Sequence, residues 1–184
     1  NGKGIYRLRD KNKDGIMEDT LAFGNYTGTG IGIYRGYLYA TSDETVYRYQ
    51  LDANQDIVNP DKPEIVVEGL LNQRQHASKS ITFDQAGNIY VNIGAPSNVC
   101  QEKDRQKGSP GMTPCPILEN AGGIWQFSTS KLNQQLADGV RYATGMRNAL
   151  GIDWNQEVND LYATIHGRDM LFQYFPEMYD QKKG

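Results

Sequence analysis

A histidine and an Arg-Asn pair are the residues of this chain best suited to chemistry, and each stands in a polar loop. His76 lies in LLNQRQHASKS (70–80), and Arg147 and Asn148 lie in ATGMRNALG (143–151). A histidine beside a substrate hydroxyl can act as a general base near neutral pH. Arginine offers a planar fork of donors and asparagine both a donor and an acceptor, which together suit a flat, oxygen-rich ligand. The alternatives are a packing histidine, a structural ion pair and a turn residue.

Short strands must position these loops, because Tyr, Ile, Val and Thr recur in alternating runs cut by Gly and Asn. This pattern predicts an all-β fold. Three segments repeat the same order of strands and turns, each preceded by an extended stretch that ends in Gly. They are IGIYRGYLYATSDETVYRYQLD (31–52), SITFDQAGNIYVNIGA with GGIWQFSTS (80–130), and LGIDWNQEVNDLYATIHGRDMLFQYFP (150–176).

The repeat predicts a β-propeller, because units of roughly 40–50 residues with about four short strands are typical of propeller blades. We expect one partial propeller domain over 1–184, with units near 20–63, 64–139 and 140–184 and a fragment before them. Propellers typically have about 4 to 8 blades, so the chain should cover roughly three to four and not close the ring. A β-sandwich is the structural alternative.

The two polar loops occupy the same point of the repeat, since each follows a Gly that ends an extended segment. In a propeller such loops gather at one mouth of the channel. We therefore expect His76 and the pair Arg147 and Asn148 to face a common axial site. Tyr39, Tyr90 and Tyr162 also recur at matched positions, which favours packing between blades.

Composition narrows the possible partners. The chain is 38% hydrophobic with a net charge of -3, and its 19 Lys and Arg are scattered among 22 acids. No apolar run approaches the ~18 residues of a membrane span, and no basic block suggests nucleic acid. Small molecules, sugars and proteins remain as partners.

Cys100 and Cys115 bracket a loop rich in Gly, Pro and charge, where a disulfide is the expected arrangement and two free thiols the alternative. A disulfide favours a periplasmic or extracellular protein. The chain begins at Asn1 without an initiator Met. We therefore expect a processed chain or part of a longer protein, whose ring another chain could complete.

A histidine before ITFDQAGNIYVNIG, then ATGMRNALGIDW and LYATIHGRDML, resembles the soluble quinoprotein glucose and sorbosone dehydrogenase family. GIYRLRDKNKDG and PCPILENAGGIWQF are similar to its bacterial sorbosone-type branch. The resemblance runs along nearly the whole chain. It implies a six-bladed propeller that holds pyrroloquinoline quinone (PQQ) and Ca²⁺ at the channel mouth.

The resemblance also implies roles for individual residues. His76 would take the proton of the reacting sugar hydroxyl while hydride passes to the quinone, and Arg147 and Asn148 would contact the PQQ. The backbone carbonyls of Gly167 and Arg168 would be ligands of the Ca²⁺. Asp169, beside them, is expected only to shape the turn.

Two positions depart from the glucose-oxidising members of that family. Those members carry an acid after the final Gly of the strand to orient the histidine, and this chain has Ala95. They also place an acid just before the histidine, where Gln75 stands here as the candidate substrate contact. Glucose is therefore not the expected sugar, and His76 needs another orienting partner.

The stretch DKNKDGIMEDT (10–20) begins like a calcium loop, with oxygen donors at Asp10, Asn12 and Asp14, followed by Glu18 and Asp19. Leu21 stands where the twelfth ligand of an EF-hand would be. A similar stretch, DANQD (52–56), follows a later strand. The alternative is therefore an Asx-rich turn between blades.

The sequence thus predicts a PQQ- and Ca²⁺-dependent dehydrogenase that oxidises an aldose or sorbosone-like sugar and passes electrons to an acceptor such as a cytochrome or quinone. The alternative is a non-catalytic propeller that binds a glycan or a protein. A lactonase-type hydrolase ranks last, because the inner loops supply few carboxylates for a metal.

Overall fold

The protein was examined as a computed structural model, which describes residues 4–180. Almost all of its regular structure is antiparallel strand, so the all-β prediction is confirmed. The strands are β1 Ile5–Arg9, β2 Asp19–Phe23, β3 Ile31–Tyr34, β4 Tyr37–Thr41, β5 Val46–Gln50, β6 Glu64–Val67, β7 Ile81–Phe83, β8 Asn88–Ile93, β9 Gly123–Ser128, β10 Val140–Thr144, β11 Asn148–Asn155 and β12 Asp160–His166. One helical turn, α1 Leu171–Tyr174, follows β12, and 3₁₀ turns lie at Pro116–Glu119 and Leu136–Asp138. No helix in the described part of the chain has the length and apolar character that crossing a membrane requires.

The strands form four sheets in which each strand pairs with its neighbour along the chain. We name them sheet 1 (β1–β2), sheet 2 (β3–β6), sheet 3 (β7–β10) and sheet 4 (β11–β12). Sheets 2 and 3 are four-stranded meanders, which is the construction of a propeller blade. The chain thus contains two whole blades and two partial ones within the described residues.

The hydrogen-bonded sheets end one strand later than the predicted units near 20–63, 64–139 and 140–184. The extended segment that ends in Gly69 contains β6, which pairs with β5, and the segment that ends in Gly145 contains β10, which pairs with β9. Each such segment therefore completes the sheet before it. Connection length does not explain this pairing, because residues 129–139 separate β10 from its partner β9, whereas only residues 145–147 separate it from β11 of the next sheet.

Apolar side chains hold sheets 2 and 3 together. Phe83 of sheet 3 lies 4.8 Å from Tyr39 and stacks 4.9 Å from Tyr34, both of sheet 2. Strand β8, NIYVNI, is buried from its second residue to its last, because it lies between two strands of its sheet and is covered on both faces. This strand is the rigid element beside both polar loops.

Sheets 3 and 4 meet at an aromatic stack. Tyr90 of β8 lies parallel to Trp154 of β11, with ring centroids 4.8 Å apart. Tyr39 and Tyr90 are buried as predicted, whereas Tyr162 is 58% exposed. The physical reason is that the described residues place no further sheet against that face of sheet 4.

The disulfide between Cys100 and Cys115 is present, with Cα atoms 6.1 Å apart, which confirms that prediction. Inside the loop it closes, the buried side chain of Gln101 donates hydrogen bonds to the carbonyls of Gln106 and Ser109. These internal bonds replace regular secondary structure. The loop, residues 100–115, is therefore ordered and called the disulfide loop below.

Candidate active site

His76 lies in the loop between β6 and β7, half-buried and with a left-handed backbone at a φ of 55°. Its Nδ1 atom lies 2.5 Å from the carbonyl oxygen of Ala95. A carbonyl oxygen can only accept, so Nδ1 carries the hydrogen and Nε2 of the neutral ring keeps its lone pair. The ring is thus held in the tautomer that a general base requires.

Arg147 and Asn148 lie where β11 begins, and both side chains are largely buried. The side chain of Arg147 is 9% exposed and its Nη2 donates to Asp169 at 3.0 Å. The amide of Asn92 donates to Oδ1 of Asn148 at 2.9 Å. Asn92 itself accepts from the Ala149 backbone at 3.1 Å, so its side chain joins sheet 3 to sheet 4.

Ala95 connects the two predicted loops. Its carbonyl accepts from His76, and its backbone N–H donates to the carbonyl of Arg147 at 2.7 Å. Gly94, just before it, approaches both loops so closely that a Cβ there would lie 2.5 Å from that of His76 and 2.7 Å from Oδ1 of Asn148. The structure therefore brings His76, Arg147 and Asn148 to one place.

Asp169 follows the predicted calcium-binding turn and does more than shape it. It accepts from Arg105 at 2.9 Å as well as from Arg147, while its backbone exchanges two hydrogen bonds with the side chain of Asn98. The hydrogen bond from Arg105, with the charge of Arg147, holds the pKa of Asp169 below its usual value. The carboxylate is therefore ionised at neutral pH and neutralises part of the two cations.

Gly167 and Arg168 are exposed at this turn. Arg168, Arg147 and Asn98 line a cavity of about 150 Å³ together with Ala95 and the disulfide. The predicted calcium carbonyls thus belong to the same region as the predicted cofactor contacts. Gly167 has open space where a side chain would be, which leaves its backbone accessible.

Gln75 contacts the disulfide loop. Its amide nitrogen donates to Asp104 at 2.7 Å, and its amide oxygen accepts from Arg105 at 3.0 Å. Arg105 also binds Asp169, so one side chain of the disulfide loop joins the His76 loop to the turn that follows β12. The disulfide loop is therefore a wall of the candidate site.

Five residues of this site were not predicted from the sequence: Gln73, Lys79, Asn92, Asn98 and Arg105. One of them had a signal in the sequence, because Asn92 interrupts the apolar run of β8 at a position that is 0% exposed. A polar side chain buried in a strand must find partners, and here these lie in the next sheet. The hydrogen-bond partners of the other four side chains cannot be inferred from the spacing of residues in the sequence.

The loop at 10–18 brings three carboxylates together, those of Asp10, Asp14 and Glu18, with oxygens within 4.8 Å of one another. Glu18 is one of the oxygen donors that the sequence offers in this stretch. Asn12 instead exchanges hydrogen bonds with Asp14, with its amide nitrogen donating to the carboxylate at 3.0 Å. The loop lies on sheet 1, and calcium there stays a prediction.

The arrangement can therefore remove a proton at Nε2 of His76 beside a cluster of fixed donors. The Nε–H of Arg147 is buried and has no acceptor within residues 4–180. An unpaired buried donor costs free energy, so its position beside a cavity suits a ligand that brings an oxygen acceptor. This set of groups suits oxidation or proton abstraction on an oxygen-rich molecule.

A family model described as TrAA12-like matches residues 1–181. Among curated proteins none matches the sequence significantly.

Three solved structures share the fold. Two are an iodide structure and a calcium structure of Trichoderma reesei Carbohydrate-Active Enzymes Family AA12, with TM-scores of 0.72 and 0.71 and identities of 18% and 17%; each match covers 91% of this chain and 42% of that chain. The third is the holo form of a pyranose dehydrogenase PQQ domain from Coprinopsis cinerea, with a TM-score of 0.71, 16% identity, and coverage of 91% and 40%. The chain thus spans less than half the length of these proteins. The matches confirm a propeller fold of which this chain is a part.

Proposed function

Because the chain belongs to the TrAA12-like family, we propose that its protein is a quinoprotein that oxidises a sugar with PQQ and Ca²⁺. The PQQ domain and calcium structure among the solved proteins of the same fold support both cofactors. The observation that carries the proposal is the meeting of His76, Arg147 and Asn148 around Ala95. An oriented base and fixed donors are the two requirements of such an oxidation.

The residues present fit the cofactor. PQQ is flat, carries carboxylates and carbonyls, and therefore offers oxygen acceptors. The unpaired Nε–H of Arg147 and its largely buried guanidinium would bind such oxygens, with Asn148 beside them. The backbone carbonyls of Gly167 and Arg168, both exposed residues, would hold the calcium ion, which prefers oxygen ligands.

His76 would act as the base. When bound, the quinone supplies a two-electron acceptor for the hydride of the substrate carbon. Nε2 of His76 takes the proton of the substrate hydroxyl, and the positive charge that forms on the ring is stabilised by the Ala95 carbonyl at Nδ1. This carbonyl takes the place of the acid that glucose-oxidising relatives of the resembled family use.

Arg147 would stabilise the negative charge that develops on the cofactor oxygens during reduction. Asp169 keeps this guanidinium in place, because it binds Nη2 at 3.0 Å. Gln75 and the disulfide loop, which hydrogen bonds join next to His76 in the chain, are the proposed substrate contacts. A sorbosone-like sugar or another aldose is the proposed substrate, and a cytochrome or quinone the electron acceptor.

The propeller units of this chain would supply three to four blades, and the remaining blades would come from the rest of the protein or from another chain. The disulfide supports an extracellular or periplasmic location. The loop of Asp10 and Asp14 would be a second, distant calcium site, with Glu18 in addition.

The test uses the intact protein, loaded with PQQ and Ca²⁺ and assayed by reduction of a dye with a panel of aldoses. His76→Gln should lower kcat by about 10²- to 10⁴-fold, which is the usual contribution of a general base. Absorbance of the bound quinone should be unchanged. Lys62→Met, at an exposed lysine outside the candidate site, is the control.

A well-folded intact protein that takes up no PQQ would refute the proposal. Uptake of a glycan without quinone absorbance would favour the alternative, a binding propeller without catalysis.

A further inference from the structure

Two buried side chains hold the backbone of the His76 loop, and neither belongs to the proposed chemistry. Gln73 is 8% exposed, and three carbonyl oxygens share the two hydrogens of its amide nitrogen. These belong to Gln75 at 2.7 Å, His76 at 2.9 Å and Gly94 at 2.7 Å. The amide thus ties the histidine to the end of β8.

Lys79 is 0% exposed, and its ammonium binds the same loop from the other side. It donates to the carbonyl of Ala77 and, at 3.3 Å, to that of Leu71. The backbone carbonyl of Lys79 accepts from Thr41 of sheet 2 at 2.8 Å. Lys79 therefore anchors the loop to the neighbouring sheet.

A lysine at this depth needs an explanation, because a charged group is costly to remove from water. Asp43 and Glu44 favour its charged form at longer range. Its hydrogen-bond partners in the described part of the chain are two loop carbonyls. A methionine would fill the same space without this cost, so the lysine contributes its donors.

The loop also needs restraint. His76 has a left-handed backbone, which a residue with a side chain rarely adopts. Its ring reaches Ala95 only while the loop keeps this conformation. Five carbonyls fixed by Gln73 and Lys79 supply the restraint.

We propose that Gln73 and Lys79 are positioning residues that hold His76 in the orientation and tautomer of a base. The proposal rests on the base role of His76 given above. It predicts that the two side chains act on turnover through the Nδ1 bond to Ala95, while the cofactor contacts at Arg147 stay intact.

The experiment measures the histidine ring directly. The variants Lys79→Met and Gln73→Met, called the clamp variants, remove the hydrogen-bond donors but keep a side chain of similar volume. Lys62→Met, at an exposed lysine, is the control. Nitrogen-15 spectra of the intact protein report the histidine tautomers, and His76→Gln identifies the signals of His76 by their loss. Wild type and Lys62→Met should show His76 with the hydrogen fixed on Nδ1, whereas both clamp variants should show averaged tautomers.

Kinetics on the intact, cofactor-loaded protein provide the second measurement. Each clamp variant should lower kcat by tenfold or more, with KM and quinone absorbance within twofold of wild type. Folded variants with an unchanged His76 spectrum would overturn the proposal. So would failure of both variants to fold, or an equal loss of cofactor binding and turnover, since those results indicate a purely structural role.

The two proposals can fail separately. If the wild-type protein binds PQQ but oxidises no sugar, the proposed function is wrong, whereas the ring spectra still decide whether Gln73 and Lys79 fix His76. If His76→Gln removes activity but the clamp variants do not, the function stands and the positioning role is wrong.

Discussion

At the scale of single residues, the burial of Lys79 makes the free energy of unfolding depend on pH. Removal from water lowers the pKa of its ammonium from 10.5 to about 8, against the opposing charges of Asp43 and Glu44. Between these two values the unfolded chain keeps a proton that the folded protein has lost. The contribution of Lys79 to the free energy of unfolding therefore rises with pH from about 8 to 10.5.

We predict that Lys79→Met removes this rise. The shift from 10.5 to about 8 corresponds to a change on the order of 3 kcal/mol across the window. Urea unfolding of wild type and variant at pH 7, 9 and 10.5 measures it, with Lys62→Met as the control for loss of an exposed lysine. Parallel pH dependences in wild type and Lys79→Met would contradict the prediction.

Sequence reasoning reached the residues whose chemistry is visible in their type. His76, Arg147 and Asn148 could be found because a base and a fork of donors recurred at one point of the repeat. Ala95 was identified only as a missing acid, and its carbonyl became visible in the structure. Gln73 and Lys79 could not be predicted, because backbone carbonyls are their partners and every residue carries one.

At the scale of elements, the disulfide loop is the feature that a strand pattern cannot describe. It has bridges and turns in place of long strands, yet Arg105 joins it to Gln75 and Asp169. The two cysteines and the composition of the stretch between them predicted a disulfide that closes this loop. Its contact with the candidate site depends on the path of the chain, which only the fold reveals.

We predict that opening the loop destabilises the protein and loosens the site. Cys100→Ser with Cys115→Ser should lower the free energy of unfolding by about 3 kcal/mol, because closure of a loop of this length restricts the unfolded chain. Urea unfolding checks the value, and wild type in reductant should behave like the double variant. Equal stability of the oxidised and reduced proteins would show that the bond adds nothing.

The strands themselves were largely predictable, since alternation and Gly-rich turns mark their limits. Their assignment to sheets was less so. The extended segments at 64–67 and 140–144 pair with the sheets before them. Hydrogen-bond partners across a turn depend on which edge is free, and sequence periodicity carries no such information.

At the scale of the whole molecule, sheet 4 differs from sheets 2 and 3, because it has two strands in the described residues instead of four. Tyr162 and Ile165 of β12 are 58% and 51% exposed. An unpaired edge together with exposed apolar side chains on both faces of the strand marks a surface that other chain segments cover. The chain also spans less than half the length of the solved proteins that share its fold.

We predict that further strands of the intact protein cover β12. Amide hydrogen exchange in β12 should be fast in the isolated chain 1–184 and at least tenfold slower in the intact protein. Strand β8, which pairs on both sides in either case, is the internal control. Equal exchange of β12 in the two proteins would mean that its edge stays open.

The stack of Tyr90 on Trp154 gives the molecule its own optical reporter. The chain has two tryptophans, and Trp154 lies between sheets 3 and 4, whereas Trp125 lies within sheet 3. Separation of the two sheets would expose the indole of Trp154 and shift its fluorescence to longer wavelength, while the emission of Trp125 stayed the same. Tryptophan fluorescence can thus distinguish the separation of sheets 3 and 4 from the unfolding of the sheets themselves.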